Sequence, residues 1–343
     1  MTAEYLNTLY VTRDAASVRL DHDTLRVDAE GDCLLHLPLL HLGSLVVFGN
    51  VYVTPALMRR FAGEGKSIVY LTRSGRFAAR VEGPVNGNVL LRQSQYRAVD
   101  DAVMTAALAR SFVAGKIQNS RSLLQRSSRD ADSKRRRLLG PAIDALADAL
   151  CRLDGCDELD VIRGIEGECA RRVFGAFGAL LTQQRADFEM VGRSRRPPRD
   201  RTNALLSFLY ALLASDCSAA LEAVGLDPQA GYLHALRPGR PALTLDLMEE
   251  LRPILGDRLA VTLVNRCQLG PGDFSARPGG AVWLSDEGRK KVLVAYQTRK
   301  ADEVAHRLLK RKVPLGLVPH LQARLLARVL RGDLEAYPAF RME

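Results

Sequence analysis

At 343 residues the chain is longer than one hydrophobic core usually supports, which points to two domains. Hydrophobic residues make up 47% and charged residues 26%, which excludes a disordered or collagenous chain. Lys and Arg outnumber Asp and Glu by 49 to 39, and the resulting charge of +10 suits a polyanionic partner but describes an ordinary basic protein equally well.

The stretch Met1 to Leu9 carries Glu4 and lacks the cationic start and apolar centre of a secretory signal. No uninterrupted run of about 18 apolar residues stands out, so the expectation is a cytoplasmic chain without a membrane span. The six cysteines (Cys33, Cys151, Cys156, Cys169, Cys217 and Cys267) form no C-x-x-C pair and read as buried reduced thiols rather than a zinc site.

From the start of the chain, Leu9 to Val11, Ser17 to Leu20, Leu25 to Val27, Cys33 to Leu40 and Ser44 to Phe48 read as short strands. Their alternation and the turns Arg13-Asp14 and Asp21-His22-Asp23 suit half-buried antiparallel pairing. Thr54 at the N-cap and Pro55 at the first helical position start a short helix through Phe61. Ser67 to Leu71, Phe77 to Val81 and Asn88 to Leu91 then return to extended structure, and the first domain closes near Gln93.

Beyond Asp100-Asp101 apolar residues recur at helical spacing, giving expected helices over 96–127, 134–152, 155–182, 203–223, 244–255, 257–267, 285–312 and 317–332. Gly192 to Arg201 and Gly270 to Gly280 read as exposed loops, because Pro197-Pro198 and Pro271-Gly272 cannot continue a helix. The fold class is therefore α+β, a β-rich N-terminal domain (1–93) followed by a mainly α-helical domain (94–343).

Between Arg110 and Arg137 nine basic residues face two acids, and Arg289 to Lys312 has a similar excess. One-sided runs of this kind create the field that neutralises phosphates. The loop Gly192-Arg-Ser-Arg-Arg-Pro-Pro-Arg199 adds Arg193, Arg195, Arg196 and Arg199 as candidate DNA contacts on a stiff backbone, its alternative being a solvated surface loop.

A carboxylate and histidine set suits Mg²⁺ or Mn²⁺. His234 in Gly231-Tyr-Leu-His precedes a Gly/Pro-rich turn that can fold the next helix back beside it, and that helix presents Asp246 and Glu249 three residues apart on one face. Glu166 lies between Gly164 and Gly167 at the start of a helix, where small neighbours permit close approach. Singly, each has a plainer reading: a structural histidine, a solvated acidic face, a first-turn acid favoured by the helix dipole. Spacing alone does not bring the three together.

The ordered segments Arg163-Gly-Ile-Glu-Gly167, Gly192-Arg-Ser-Arg-Arg-Pro-Pro198, Asn203-Ala-Leu-Leu-Ser-Phe-Leu-Tyr210, Gly231-Tyr-Leu-His234 and Leu245-Asp-Leu-Met-Glu-Glu250 resemble the CRISPR adaptation integrase family, the first CRISPR-associated protein. Leu9-Tyr-Val-Thr12 and Gly75 to Gly83 resemble its N-terminal domain, and the Pro-Pro loop and Asp-Leu-Met-Glu-Glu helix are most similar to the subtype I-C branch. The resemblance implies a dimerising β-rich domain, a helical catalytic domain, and two homodimers bridged by a second small CRISPR adaptation protein on double-stranded DNA. It places Glu166, His234 and Glu249 on metal-ligand positions and Asp246 on an accessory acidic one. Many relatives carry aspartate where this chain has Glu249, which leaves Mg²⁺ and Mn²⁺ both open, and no family motif covers the Lys134 to Arg137 run. The activity so implied is insertion of foreign DNA fragments into a CRISPR array by attack of a DNA 3′-hydroxyl on a phosphodiester. The residues alone also suit a structure-specific DNA repair nuclease or a non-catalytic DNA-binding scaffold.

Overall fold

The computed structural model describes residues 8–342 apart from 74, 76, 82 and 84–88, and the chain divides into two units, Met1–Asn86 and Gly87–Glu343. Residues 1–7, Arg76 and Glu82 of the Gly75 to Gly83 segment, and Asn88 lie outside the described residues.

In the first unit one sheet has the order β1 (Thr8–Val11), β5 (Ser44–Phe48), β7 (Ser67–Leu71), β8 (Phe77–Val81). The other has the order β4 (Asp32–Pro38), β3 (Thr24–Ala29), β2 (Ser17–Asp21), β6 (Tyr52–Val53). Strands β2, β3 and β4 pair antiparallel, with Leu25, Val27 and Ala29 alternating into the core. The antiparallel expectation fails for β1, β5 and β7, which pair in parallel. Their connections explain this: β1 reaches β5 only through the β2–β4 meander, and β5 reaches β7 through α1 (Pro55–Gly63), crossovers that parallel pairing requires. Accordingly Leu45 to Phe48 is a continuous buried apolar run, as expected of an inner parallel strand. Leu57 and Phe61, one turn apart on α1, close the core with Val18, Leu25, Leu45 and Ile68.

The second unit carries α2 (Val89–Asp100), α3 (Ala102–Arg129), α4 (Ser133–Leu153), α5 (Leu159–Gly175), α6 (Arg201–Ala223), α7 (Ala242–Glu249), α8 (Arg258–Asn265), α9 (Asp286–Ala301) and α10 (Val318–Leu330). The α+β reading holds, with corrections. Residues 89–91, read as extended, begin α2, which also runs through the expected division near Gln93. The single helix expected over 96–127 breaks at Asp101, whose backbone is extended and whose carboxylate caps α3 by accepting from Val103 and Met104 N–H. The helix expected over 155–182 stops at Gly175 and passes into a 3-10 turn, Phe177–Leu180.

Two hairpins were not expected. β9 (Phe274–Arg277) pairs with β10 (Ala281–Leu284) through Gly279 and Gly280, both at positive φ, and β11 (Glu303–His306) pairs with β12 (Arg311–Pro314) where a helix to 312 was expected. Strands of four residues are too short to show an alternation against a charged background.

Helix α6 is long and apolar enough to cross a membrane by length and composition, although Arg201, Asp216 and Glu222 interrupt its apolar run, and 56% of its most apolar stretch is buried. Leu205, Leu206, Leu209, Leu213 and Leu221 are fully buried along it, which is the pattern of a core helix. All six cysteines are free thiols, but only Cys169 and Cys217 are buried, whereas Cys33, Cys151 and Cys267 are exposed.

Between α7 and α8, Arg252–Asp257 forms a π-helical segment, because Pro253 has no N–H to continue the α ladder. There Gly256 lies against the Tyr210 ring, and a Cβ at this position would stand 2.5 Å from Tyr210 Cε1.

The C-terminal residues fold onto α3 and α7. Glu250 accepts from Tyr337 Oη at 2.6 Å, Phe340 N at 2.5 Å and Gln322 Nε2 at 3.1 Å. Asn119 Nδ2 donates to the carbonyls of Glu250 (2.7 Å) and Phe340 (2.8 Å). Burial pushes the Glu250 carboxyl from its usual 4.5 up to about 7, the hydrogen-bond donors only partly opposing it. Its folded value lies above the unfolded one, so the folded chain takes up the proton first, and stability is full at acid pH and falls as pH rises through about 7. Urea denaturation at pH 5 and pH 8 should show the unaltered chain losing about 2 kcal/mol more than Glu250→Gln over this interval. Equal losses would contradict this assignment.

Candidate metal centre

His234 closes the segment 224–234 between α6 and α7, and two helices fix that segment. Gln95 of α2, fully buried, donates to the carbonyls of Asp227 (2.8 Å) and Ala230 (3.0 Å) and accepts from Asp227 N (2.9 Å). Arg163 of α5 donates from Nε to Leu233 O at 2.7 Å. Gly231 lies on the first turn of α7, where a Cβ would come within 2.6 Å of Ala242 C and 2.7 Å of Leu243 N, so only glycine fits.

Asp246 then joins this segment to α7. Its Oδ2 accepts from the N–H groups of Tyr232 (2.6 Å) and Leu233 (3.0 Å), and its Oδ1 accepts from His234 N–H (3.0 Å) and lies 2.7 Å from His234 Nδ1. The carboxylate is fully buried, so it belongs to no solvated face. An imidazole held through Nδ1 turns Nε2 outward as the available nitrogen. That nitrogen is 3.7 Å from Glu249 Oε1.

Glu249, one turn after Asp246 on α7, has a side chain only 1% exposed. Lys116 Nζ of α3 lies 2.6 Å from its Oε2, and Arg252 Nη1 lies 3.1 Å from its Oε1. Burial alone would raise its pKa, but Arg252, Lys116 and His234 outweigh burial and hold the carboxyl at about 2. Lys116 also pairs with Glu166 Oε1. Burial works against the ammonium, and the Glu249 and Glu166 carboxylates outweigh it, raising Lys116 above its usual 10.5. Lys116 thus links Glu166 to Glu249, and His234 lies beside Glu249 with Asp246 behind the imidazole. Glu166 sits in the interior of α5 rather than in its first turn, and both Gly164 and Gly167 face open space.

Among the described residues, no three His, Cys, Asp or Glu side chains converge into a ready-made cation cage. The donor set nevertheless fits a hard divalent ion: two carboxylates already bracket one cation, the Lys116 ammonium, and an imidazole nitrogen faces one of them.

The four candidate DNA-contact arginines divide. Arg193 turns inward, donating to Ser194 O (2.8 Å) and Asn203 Oδ1 (2.7 Å), with its guanidinium 5.9 Å from the Phe174 ring and 5.4 Å from the Tyr210 ring. It shapes the loop and is only partly exposed. Arg195, Arg196 and Arg199 are exposed. In the two basic runs, Arg110 pairs with Asp157, Arg135 is buried on Ala179 O, Arg299 pairs with Asp302 and Lys300 with Asp216. Arg126, Arg129, Lys134, Arg136 and Arg137 remain exposed.

Sequence reasoning missed Lys116, Tyr210 and Arg252 as members of the site. Lys116 was counted with the phosphate-binding run, yet it falls among Phe112, Val113, Ile117 and Ser120, the buried face of α3, which was the available signal. Arg252 lies three residues after Glu249, and its guanidinium stands 5.2 Å from the Tyr210 ring.

The model of the family described as CRISPR associated protein Cas1 matches residues 9–298. The chain belongs to the Cas1 family. It is 54% identical over 336 residues to a CRISPR-associated endonuclease Cas1 of Moorella thermoacetica, covering 98% of each chain. It is 52% identical over 338 residues to one of Rhodospirillum rubrum, covering 97% of each. Among solved structures, a Cas1 protein from Thermotoga maritima superposes with a TM-score of 0.82 at 21% identity, over 96% of this chain and 98% of that one. A casposase bound to integration product superposes with 0.84 at 20% identity, over 98% and 94%. At these identities the likeness concerns the fold, and the Cas1 fold is the one described above.

If Asp246 is what seats His234, its removal strips three N–H groups and the imidazole of their acceptor. Asp246→Ala should destabilise the chain by about 3 kcal/mol or more in urea denaturation, since each orphaned donor costs about 1–3 kcal/mol. A loss under about 1 kcal/mol would contradict that role.

Proposed function

We propose that this chain is a metal-dependent DNA endonuclease and integrase that inserts short foreign DNA fragments as new spacers into a CRISPR array. The observation that carries the reading is the pair of carboxylates, Glu166 and Glu249, bracketing the Lys116 ammonium beside an Asp246-seated imidazole, in a chain of the Cas1 family. The naming of its close relatives as endonucleases supports nuclease chemistry, and the fold likeness to a casposase bound to integration product supports strand joining.

In this reading Glu166, His234 and Glu249 hold Mg²⁺ or Mn²⁺. When bound, the ion supplies Lewis-acid polarisation of a phosphodiester and neutralises charge developing on it. The protein's own residues do the rest. Asp246 fixes the imidazole so that Nε2 faces Glu249, and Arg252 balances the buried charge of Glu249. Arg195, Arg196 and Arg199 supply guanidiniums to the phosphates of double-stranded DNA, as do the exposed cations of the Lys134 to Arg137 region. A DNA 3′-hydroxyl is the nucleophile, so no protein nucleophile is needed.

The β-rich N-terminal unit serves as the homodimer contact. Its edge strand β4 is exposed almost throughout and carries Leu34 at 53% and Leu35 at 37% exposure, with Leu40 following at 66%. Two such dimers are bridged by a second small CRISPR adaptation protein, a reading supported by the fold likeness to the chain of a Cas6-RT-Cas1–Cas2 complex. The subtype I-C branch and a cytoplasmic setting complete it.

Strand transfer into a repeat-bearing plasmid, with the partner protein and Mg²⁺ or Mn²⁺, tests the proposal. Glu166→Ala and His234→Ala should each lower it by about a hundredfold or more. Cleavage of branched DNA with no joining would favour the repair-nuclease reading, and undiminished joining by folded variants would favour the scaffold.

A further inference from the structure

Lys116 is an unusual component of a site meant for a divalent cation, because its ammonium stands where such an ion would draw the same two carboxylates. Four observations define its setting. Its Nζ pairs with both Glu249 Oε2 (2.6 Å) and Glu166 Oε1. It projects from the buried face of α3, and its side chain is 13% exposed. One turn further on, Asn119 donates to Glu250 O at 2.7 Å, which locks α3 to the end of α7. Finally, Lys116 borders a small cavity of about 30 Å³ whose wall includes Ser120, Tyr210, Arg252 and Asp257.

The two cations beside Glu249 differ in freedom. Arg252 is a planar guanidinium placed against the Tyr210 ring (5.2 Å) and is paired to Glu249 on the same helical stretch. Lys116 is a compact charge on a flexible four-carbon stem. If one of them yields when another cation arrives, it is the lysine. The cavity gives it somewhere to go: it is large enough to admit a water-sized group, and an ammonium is of similar size. Ser120 Oγ and Asp257 are polar groups on its wall, and Tyr210 Oη donates to Asp257 Oδ1 at 2.5 Å.

We propose that Lys116 is a two-position lysine, a built-in competitor of the divalent ion that bridges Glu166 and Glu249 in the ion-free chain and withdraws toward the Ser120–Asp257 cavity when the ion binds. It is a positioning residue. In the ion-free state it prevents two carboxylates, one of them almost fully buried, from repelling each other across the site, and so keeps α5 and α7 in register. On ion binding it exchanges one cation for another, so the net charge between Glu166 and Glu249 rises by one unit rather than by the two that an ion added without displacement would bring. The inference rests on the metal reading given under Proposed function.

The test is Mn²⁺ binding by calorimetry to the full chain and to Lys116→Met, which keeps length and removes charge, with Lys116→Gln as a second variant. Removing an internal competitor should tighten Mn²⁺ binding by about tenfold, within the usual range of coupling between two ligands. The variants should also melt lower than the parent without Mn²⁺ and gain more on its addition. Equal or weaker binding by folded variants, with the parent still binding Mn²⁺, overturns the role of Lys116 alone. Failure of the parent and of the variants to bind Mn²⁺ overturns the metal reading and this inference together. Independently of folding in the variants, a crystal structure of the unaltered chain with Mn²⁺ should place Lys116 Nζ toward Asp257; Nζ still between the carboxylates overturns the proposal.

Discussion

The site depends on one buried carboxylate. Asp246 satisfies three consecutive backbone N–H groups, those of Tyr232, Leu233 and His234, and the His234 imidazole as well. A fully buried polar side chain is tolerable only when so completely hydrogen-bonded. In return it ties an irregular segment to a helix and sets which imidazole nitrogen faces the other acids. The elements around it repeat the same logic: Gln95 and Arg163 hold the segment from outside, and the absence of a side chain at Gly231 lets it touch the first turn of α7.

The second constraint is charge balance. Glu249 is more deeply buried than Glu166, and the chain surrounds it with Arg252, Lys116 and His234 rather than leaving it to solvent. These neighbours keep it ionised where burial alone would neutralise it. The contrast with Glu250 is instructive. One residue further on, an equally buried carboxylate meets neutral donors, Tyr337, Gln322 and the Phe340 backbone, and its pKa moves upward instead. Adjacent glutamates in Met-Glu-Glu thus have opposite chemistry, one facing the charged cluster and the other anchoring the C-terminal residues.

Much of this was legible in the sequence, and the exceptions have physical causes. The strands of the first unit were readable from alternation, but parallel pairing was not, since direction depends on connections rather than on any single strand. The long helices were readable, whereas the break at Asp101 and the hairpin after Ala301 depend on local capping and on strands of four residues. Spacing puts Asp246 and Glu249 on one helical face but leaves a solvated face open as the alternative, because burial by the segment 224–234 comes from elsewhere in the chain. Arg193 looked like its exposed neighbours Arg195, Arg196 and Arg199 until Asn203 and Tyr210 were seen to hold it inward. Lys116 was the most informative miss: its charge drew it into a basic run, while its place among Phe112, Val113 and Ile117 marked it as interior.

The proposed activity requires that His234 and the two glutamates share one divalent ion. The most direct measurement is pulsed electron paramagnetic resonance of Mn²⁺ bound to the chain. A coupling from one imidazole nitrogen, lost in His234→Ala, is the expected result. Bound Mn²⁺ with no nitrogen coupling, or with a coupling that persists in His234→Ala, would contradict the account.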